Sequence, residues 1–107
     1  MFILKKHVND NLEIYIKTDP CGSIDVIADN GTSRKSIQNY GTYYNLDLFE
    51  HNDRLYIIRR SCRDTMVIPI LIRDDNTAIT GFLPHNTYDF RLTDQAVERV
   101  FKAGSFN

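Results

Sequence analysis

Apolar and polar residues alternate with a period of two along much of this chain, and clusters of turn-forming residues interrupt the alternation. Four such clusters stand out: Asn9-Asp10-Asn11, Asp29-Asn30-Gly31-Thr32, His51-Asn52-Asp53 and Asp74-Asp75-Asn76-Thr77. Asn, Asp and Gly tolerate the left-handed backbone that tight hairpins need. Clusters spaced about twenty residues apart leave room for two strands and a turn, so the pattern predicts a series of hairpins. No residue-level repeat accompanies the spacing.

The first hairpin separates cleanly into two faces. With Asn9 to Asn11 as the loop, Val8 faces Leu12, Lys6 faces Ile14, Leu4 faces Ile16 and Phe2 faces Thr18. The other face carries His7 opposite Glu13, Lys5 opposite Tyr15 and Ile3 opposite Lys17. One face is mostly apolar and the other mostly polar, as a half-solvated antiparallel sheet requires.

Asp19-Pro20-Cys21-Gly22 then reads as a turn, followed by a strand over 23–29 with Ile24, Val26 and Ala28 on one side. Residues 34–40 are its expected partner, and Gly41 permits a bend or bulge. A third hairpin is expected over 43–50 and 54–61, and a fourth over 66–73 and 78–83. Pro69 cannot donate to a ladder, which predicts a sheet edge, a bulge or a non-bonded position. Pro84-His85-Asn86 marks another turn before a strand carrying Tyr88, Phe90 and Leu92.

At the C-terminal end the period changes. Thr93 is a helix cap with Leu92 and Val97 at staple spacing. Val97, Val100 and Phe101 share a helical face, and Gly104 is a stop signal. The predicted fold is mainly β (α+β by strict count), with residues 1–107 as a single domain. It is an antiparallel meander of about seven to nine strands in a sandwich or partly open barrel, with one C-terminal helix packed on the sheet.

Composition narrows the function classes. The chain has 107 residues, 42% hydrophobic and 25% charged, which suits a globular chain with one core. Its formal net charge of -1 gives no global attraction to nucleic acid or anionic membrane. Neither a signal-peptide-length apolar run nor a membrane-spanning one occurs, so the expectation is a soluble, cytoplasmic protein. Cys21 and Cys62 are too few for a disulfide framework and read as free, partly buried thiols. Frequent Ile and scarce Ala fit an AT-rich coding genome, as in many viruses.

Catalytic and cofactor signatures are lacking. His7, His51, His85, Cys21 and Cys62 are scattered with no metal-ligand spacing, so neither a metal nor a cofactor is expected. The five glycines form no phosphate-binding loop. Cys62, in Arg60-Ser61-Cys62-Arg63-Asp64, is the one nucleophile candidate, because neighbouring cations favour a thiolate; it would need a base such as His51 or His85. Asp74-Asp75 lies in a solvated turn, which raises neither carboxyl for acid–base work.

A basic and aromatic stretch remains. Arg54, Arg59, Arg60 and Arg63 cluster near Tyr40, Tyr43, Tyr44 and Tyr56. With His51 to Asp53 as the loop, Tyr44, Leu46, Leu48 and Glu50 share a face with Arg54, Tyr56, Ile58 and Arg60. Tyr43, Asn45, Asp47 and Phe49 share the opposite, mixed face with Leu55, Ile57, Arg59 and Ser61. Tyr and Arg are enriched at interface hot spots, so Tyr43, Asn45, Tyr56, Arg59, Arg60 and Arg63 are the candidate binding residues.

The expectation is a non-enzymatic interaction or inhibitor-type protein, of the kind found among viral accessory proteins. It would bind another protein or itself, as a homodimer, through a sheet face or strand edge. A single-stranded nucleic-acid module using the 54–63 stretch is the first alternative, and a small cysteine-dependent enzyme the second. No membrane partner is expected.

Overall fold

The computed structural model describes residues 2–81. They form nine strands: β1 (Phe2–Ile3), β2 (Lys5–Asn9), β3 (Leu12–Thr18), β4 (Ile24–Asp29), β5 (Arg34–Tyr40), β6 (Asn45–His51), β7 (Arg54–Arg60), β8 (Thr65–Ile72) and β9 (Ala78–Thr80). The fold of the described residues is mainly β, in two antiparallel sheets. One sheet has the order β2-β3-β4-β5 and the other the order β1-β6-β7-β8-β9. No helix occurs among the described residues, and hence none long and apolar enough to cross a membrane. The expected strand through Tyr88 to Leu92 and the expected helix after Thr93 lie outside the described residues.

The two sheets share one core. Leu12, Ile14, Val26 and Ala28 face Leu46, Leu48, Leu55, Ile57, Ile68, Ile70 and Ala78 across the interface. Alternate residues of each strand enter this core, which is the period-two pattern of the sequence expressed in space. Sheet β1-β6-β7-β8-β9 is also buried on its outer face, where Phe49, Tyr56, Ile58 and Val67 form a second cluster. Buried Thr80 accepts a hydrogen bond from Gln38 and so ties β9 to β5 across the sheets.

The chain crosses between the sheets twice. The first crossing is at Leu4. The β2–β3 pairing keeps the expected partners Lys6 with Ile14, His7 with Glu13 and Lys5 with Tyr15. The Ile16 amide still donates to the Leu4 carbonyl at 3.1 Å. Beyond Leu4 the expected pairing stops: Phe2 and Ile3 instead pair with Phe49 and Leu48 of β6. Three consecutive apolar residues cannot all face one core from one strand, and the crossing sets Ile3 against the shared core instead. The turn is also shorter than expected. Asn9 pairs with Leu12 and a bulge falls between His7 and Asn9.

After the crossing, β2 runs across the other sheet. Lys6 reaches Glu50 of β6, Val8 lines a cleft with Leu55 of β7 and Ile70 of β8, and Asn9 bonds to Asn76 after β8. Successive residues of one strand thus meet successive strands of the other sheet, the relation seen in orthogonally packed sheets.

The β6–β7 hairpin corrects the expected register by one residue. Its loop is Asn52-Asp53, with φ of 50° and 61° at the two positions. Both residues are left-handed, as a two-residue type I′ turn demands. His51 therefore pairs with Arg54, and Glu50 with Leu55. The inner face becomes Leu46, Leu48 and Glu50 with Leu55, Ile57 and Arg59. The outer face becomes Asn45, Asp47, Phe49 and His51 with Arg54, Tyr56, Ile58 and Arg60.

Strand β8 lies between β7 and β9, so the Pro69 strand is not an edge. Pro69 is opposite Tyr56, and its carbonyl accepts from Gly81 at 3.0 Å. The ring nitrogen faces the same side as that carbonyl, towards β9. The missing donor therefore falls just past the last β8–β9 pair, Ile70 with Thr80, where the ladder loses least.

Candidate functional site

The second crossing joins β5 to β6 through residues 41–44, and it brings together most of the basic and aromatic residues singled out in the sequence. Arg59 is its centre. The register places Arg59 between Leu46 and Met66 on the inner face, at the end of the apolar core. Its guanidinium lies 4.6 Å from the ring centre of Tyr44 and 5.6 Å from that of Tyr40. The two rings are 5.5 Å apart and tilted by 58°. Asp64 approaches one guanidinium nitrogen at 3.6 Å, and the Met66 sulfur contacts the same nitrogen. Only 16% of the Arg59 side chain is exposed, and its Nε is buried with no hydrogen-bond partner among the described residues. The π faces of two tyrosines and the Asp64 carboxylate offset that cost. Burial raises the Tyr40 hydroxyl above its ordinary pKa, opposed by the Arg59 charge.

Arg59 thus ties together the end of β5, the start of β6 and the loop after β7. That loop, residues 61–64, is closed by its own bonds. The Ser61 amide donates to the Asp64 carbonyl at 2.9 Å, and the Ser61 hydroxyl oxygen accepts from the Arg63 and Asp64 amides at 3.2 Å each. The turn at 19–22 packs closely against the 41–44 crossing. Gly22 has φ of 88°, and a Cβ there would come within 2.7 Å of the Thr42 methyl group.

Between the 41–44 crossing and the 61–64 loop lies a cleft of about 520 Å³ lined by Tyr43, Tyr44, Ser61, Cys62 and Arg63. Tyr43 is 87% exposed, although it is a large aromatic residue. Arg63 is exposed and makes no ion pair among the described residues.

The other predicted site residues disperse. Asn45 is exposed on the outer face, opposite Arg60. Arg60 pairs with Asp47 on that same face. The one-residue register shift places Tyr56 on the outer face, where it has no exposed surface and belongs to the cluster with Phe49, Ile58 and Val67. Arg54 sits at the far end of the hairpin beside His51. The four arginines that cluster in sequence are therefore not one basic patch.

Both cysteines are free and exposed, rather than partly buried. His51 and Asn45 occupy opposite ends of β6, about 20 Å apart along the strand, and Cys62 follows Arg60, the partner of Asn45. His51 is consequently out of reach as a base for Cys62, and His85 lies outside the described residues. Among the described residues no three His, Cys, Asp or Glu side chains gather as a metal site. Asp75 sits in its solvated turn with its carboxyl held low by bonds from Thr77.

The chain matches no family model, no curated protein and no solved structure.

Sequence reasoning missed Tyr44 and Tyr40 as partners of Arg59. Their only sequence signal was proximity to the arginine run. The contact needs the inner-face register of β7 and the second crossing, and neither is written in local periodicity.

Proposed function

We propose that this chain is a non-enzymatic interaction protein that contacts another protein, or a second copy of itself, through the cleft at the β5–β6 crossing. The observation that carries the reading is Tyr43. A tyrosine that is 87% exposed stands beside an arginine that makes no ion pair among the described residues, on loops held by a nearly buried stack. Aromatic and arginine side chains on a fixed support are the usual anchors of protein interfaces. The small size and the Ile- and Asn-rich composition fit an accessory or inhibitor-type protein of viral origin.

The nucleic-acid alternative has less support. A strand of phosphates calls for several open cations, whereas Arg59 and Arg60 are engaged by Asp64 and Asp47. The cysteine-enzyme alternative loses His51 as a base, since it sits at the far end of β6 from Cys62.

The test is affinity capture from the native host, with light scattering after size exclusion, on the wild type and on Tyr43→Ala/Arg63→Ala. The expected result is a captured protein or a dimer with the wild type and loss of either in the variant, at unchanged thermal stability. A monomer that captures nothing, and is stabilised against heat by a metabolite, would overturn the reading in favour of small-molecule binding.

A further inference from the structure

Resting on the interaction reading above, we infer that the cleft receives an acidic protein segment, with a carboxylate on Arg63 and a neighbouring apolar or aromatic side chain on Tyr43. The charge balance of the lining points this way. Among the described residues that line the cleft, Tyr43, Tyr44, Ser61, Cys62 and Arg63, only Arg63 is charged and none carries a carboxylate. Asp64, next in sequence, is turned away. It lies 3.6 Å from Arg59 and accepts the Ser61 hydroxyl hydrogen bond at 3.2 Å. The lining therefore carries a positive charge that the described residues leave uncompensated. An anionic group entering the cleft gains an attraction there, and a cationic group is repelled.

Arg63 also has the right shape for the task. A guanidinium presents a planar fork that a carboxylate fills with two parallel hydrogen bonds. Its backbone is fixed, because the Arg63 amide donates to Ser61. The exposed Tyr43 ring supplies a flat apolar surface at low conformational cost. A volume of about 520 Å³ suits a few side chains of a segment rather than a long strand.

The other inter-sheet cleft makes the contrast. It has about 400 Å³ and is lined by Lys6, Glu50, Asp53 and Arg54 beside apolar residues. Among the described lining residues, cations and carboxylates are equal in number, and Lys6 pairs directly with Glu50 at 2.9 Å. That cleft has no reason to prefer an anion.

Titration of the isotope-labelled full chain with defined probes, followed by amide chemical shifts, tests the inference. The probes are acetyl-Glu-Tyr-Glu-amide, acetyl-Lys-Tyr-Lys-amide and a short oligothymidylate. The glutamate peptide is expected to shift the amides of Tyr43, Tyr44, Cys62 and Arg63, while the lysine peptide leaves them unmoved. Arg63→Gln, at an exposed position, should weaken the glutamate peptide about tenfold, the value of one charge-assisted pair. Equal binding of the two peptides at these amides would overturn the acidic preference and leave the interaction reading standing. Tighter binding of the oligothymidylate at the same amides would overturn both in favour of nucleic acid. If no probe shifts these amides, the inference fails, and the capture experiment above then decides the interaction reading separately.

Discussion

The two places where the chain crosses between sheets solve the same problem with different chemistry. Each has a cation on the inner face at an end of the core: Lys6 near the Leu4 crossing and Arg59 at the 41–44 crossing. Lys6 is met by Glu50 at 2.9 Å, with about a third of each side chain exposed. Arg59 is met by two tyrosine rings and a carboxylate at 3.6 Å, and is far more buried. The first arrangement neutralises itself with one carboxylate. The second uses rings as well, and its carboxylate, Asp64, points to Arg59 and Ser61. Arg63 beside it makes no ion pair among the described residues. The comparison separates a crossing that closes the sheets from one that also presents a surface.

The largest test of that contrast is Arg59→Ala. Removing the stacked guanidinium frees Tyr40, Tyr44 and Asp64 together and should cost about 2–3 kcal/mol in urea unfolding. Arg59→Lys keeps the charge but loses the planar stack, and should recover only part of that.

At the other crossing, Asp53 holds a left-handed φ of 61° beside the Lys6–Glu50 cleft. Asp53→Gly should stabilise the chain by about 0.5–1 kcal/mol, read from the urea midpoint, because glycine adopts this conformation without strain. A loss of stability would contradict the two-residue turn.

A double-mutant cycle on Lys6→Met and Glu50→Gln should return a coupling of about 0.5 kcal/mol, since solvent screens a pair this exposed. A coupling as large as the Arg59 effect would erase the distinction between the crossings.

Tyr40 supplies a pH signature of the aromatic crossing. Its folded pKa is raised by burial, so the folded state holds the phenol proton more tightly than the unfolded chain. The associated stability is fully present below the ordinary tyrosine value of 10.0 and falls as pH rises above it. Absorbance titration should show late tyrosine ionisation that is reduced by one group in Tyr40→Phe.

Smallest of all is Tyr43→Ala, expected to change stability by less than about 0.5 kcal/mol because the ring is exposed. Loss of binding with unchanged stability would mark Tyr43 as a contact residue rather than a packing one.

Local pattern determined much of this protein. Alternation and Asn/Asp/Gly clusters located the strands, and the amphipathic 5–15 segment set its own pairing, with Lys6 opposite Ile14. Strands β4 and β5 also follow from their runs, because one side of β4 is apolar throughout. The β6–β7 hairpin was ambiguous, because residues 55–58 are apolar on both faces and either register buries them. Asn52-Asp53 in two left-handed positions resolves it, and that choice sends Arg59 inward and Tyr56 into the outer cluster. The mixed character read from sequence was therefore an effect of the register and not a property of one surface. Alternation reports which residues share a face, but it carries no information on which sheet a strand joins or what lies opposite. The move of Phe2 and Ile3 onto β6, and the closure of Tyr40 and Tyr44 over Arg59, were decided only when two sheets packed around one core. The candidate cleft exists because of that packing: its two walls come from loops about twenty residues apart, joined through a single arginine.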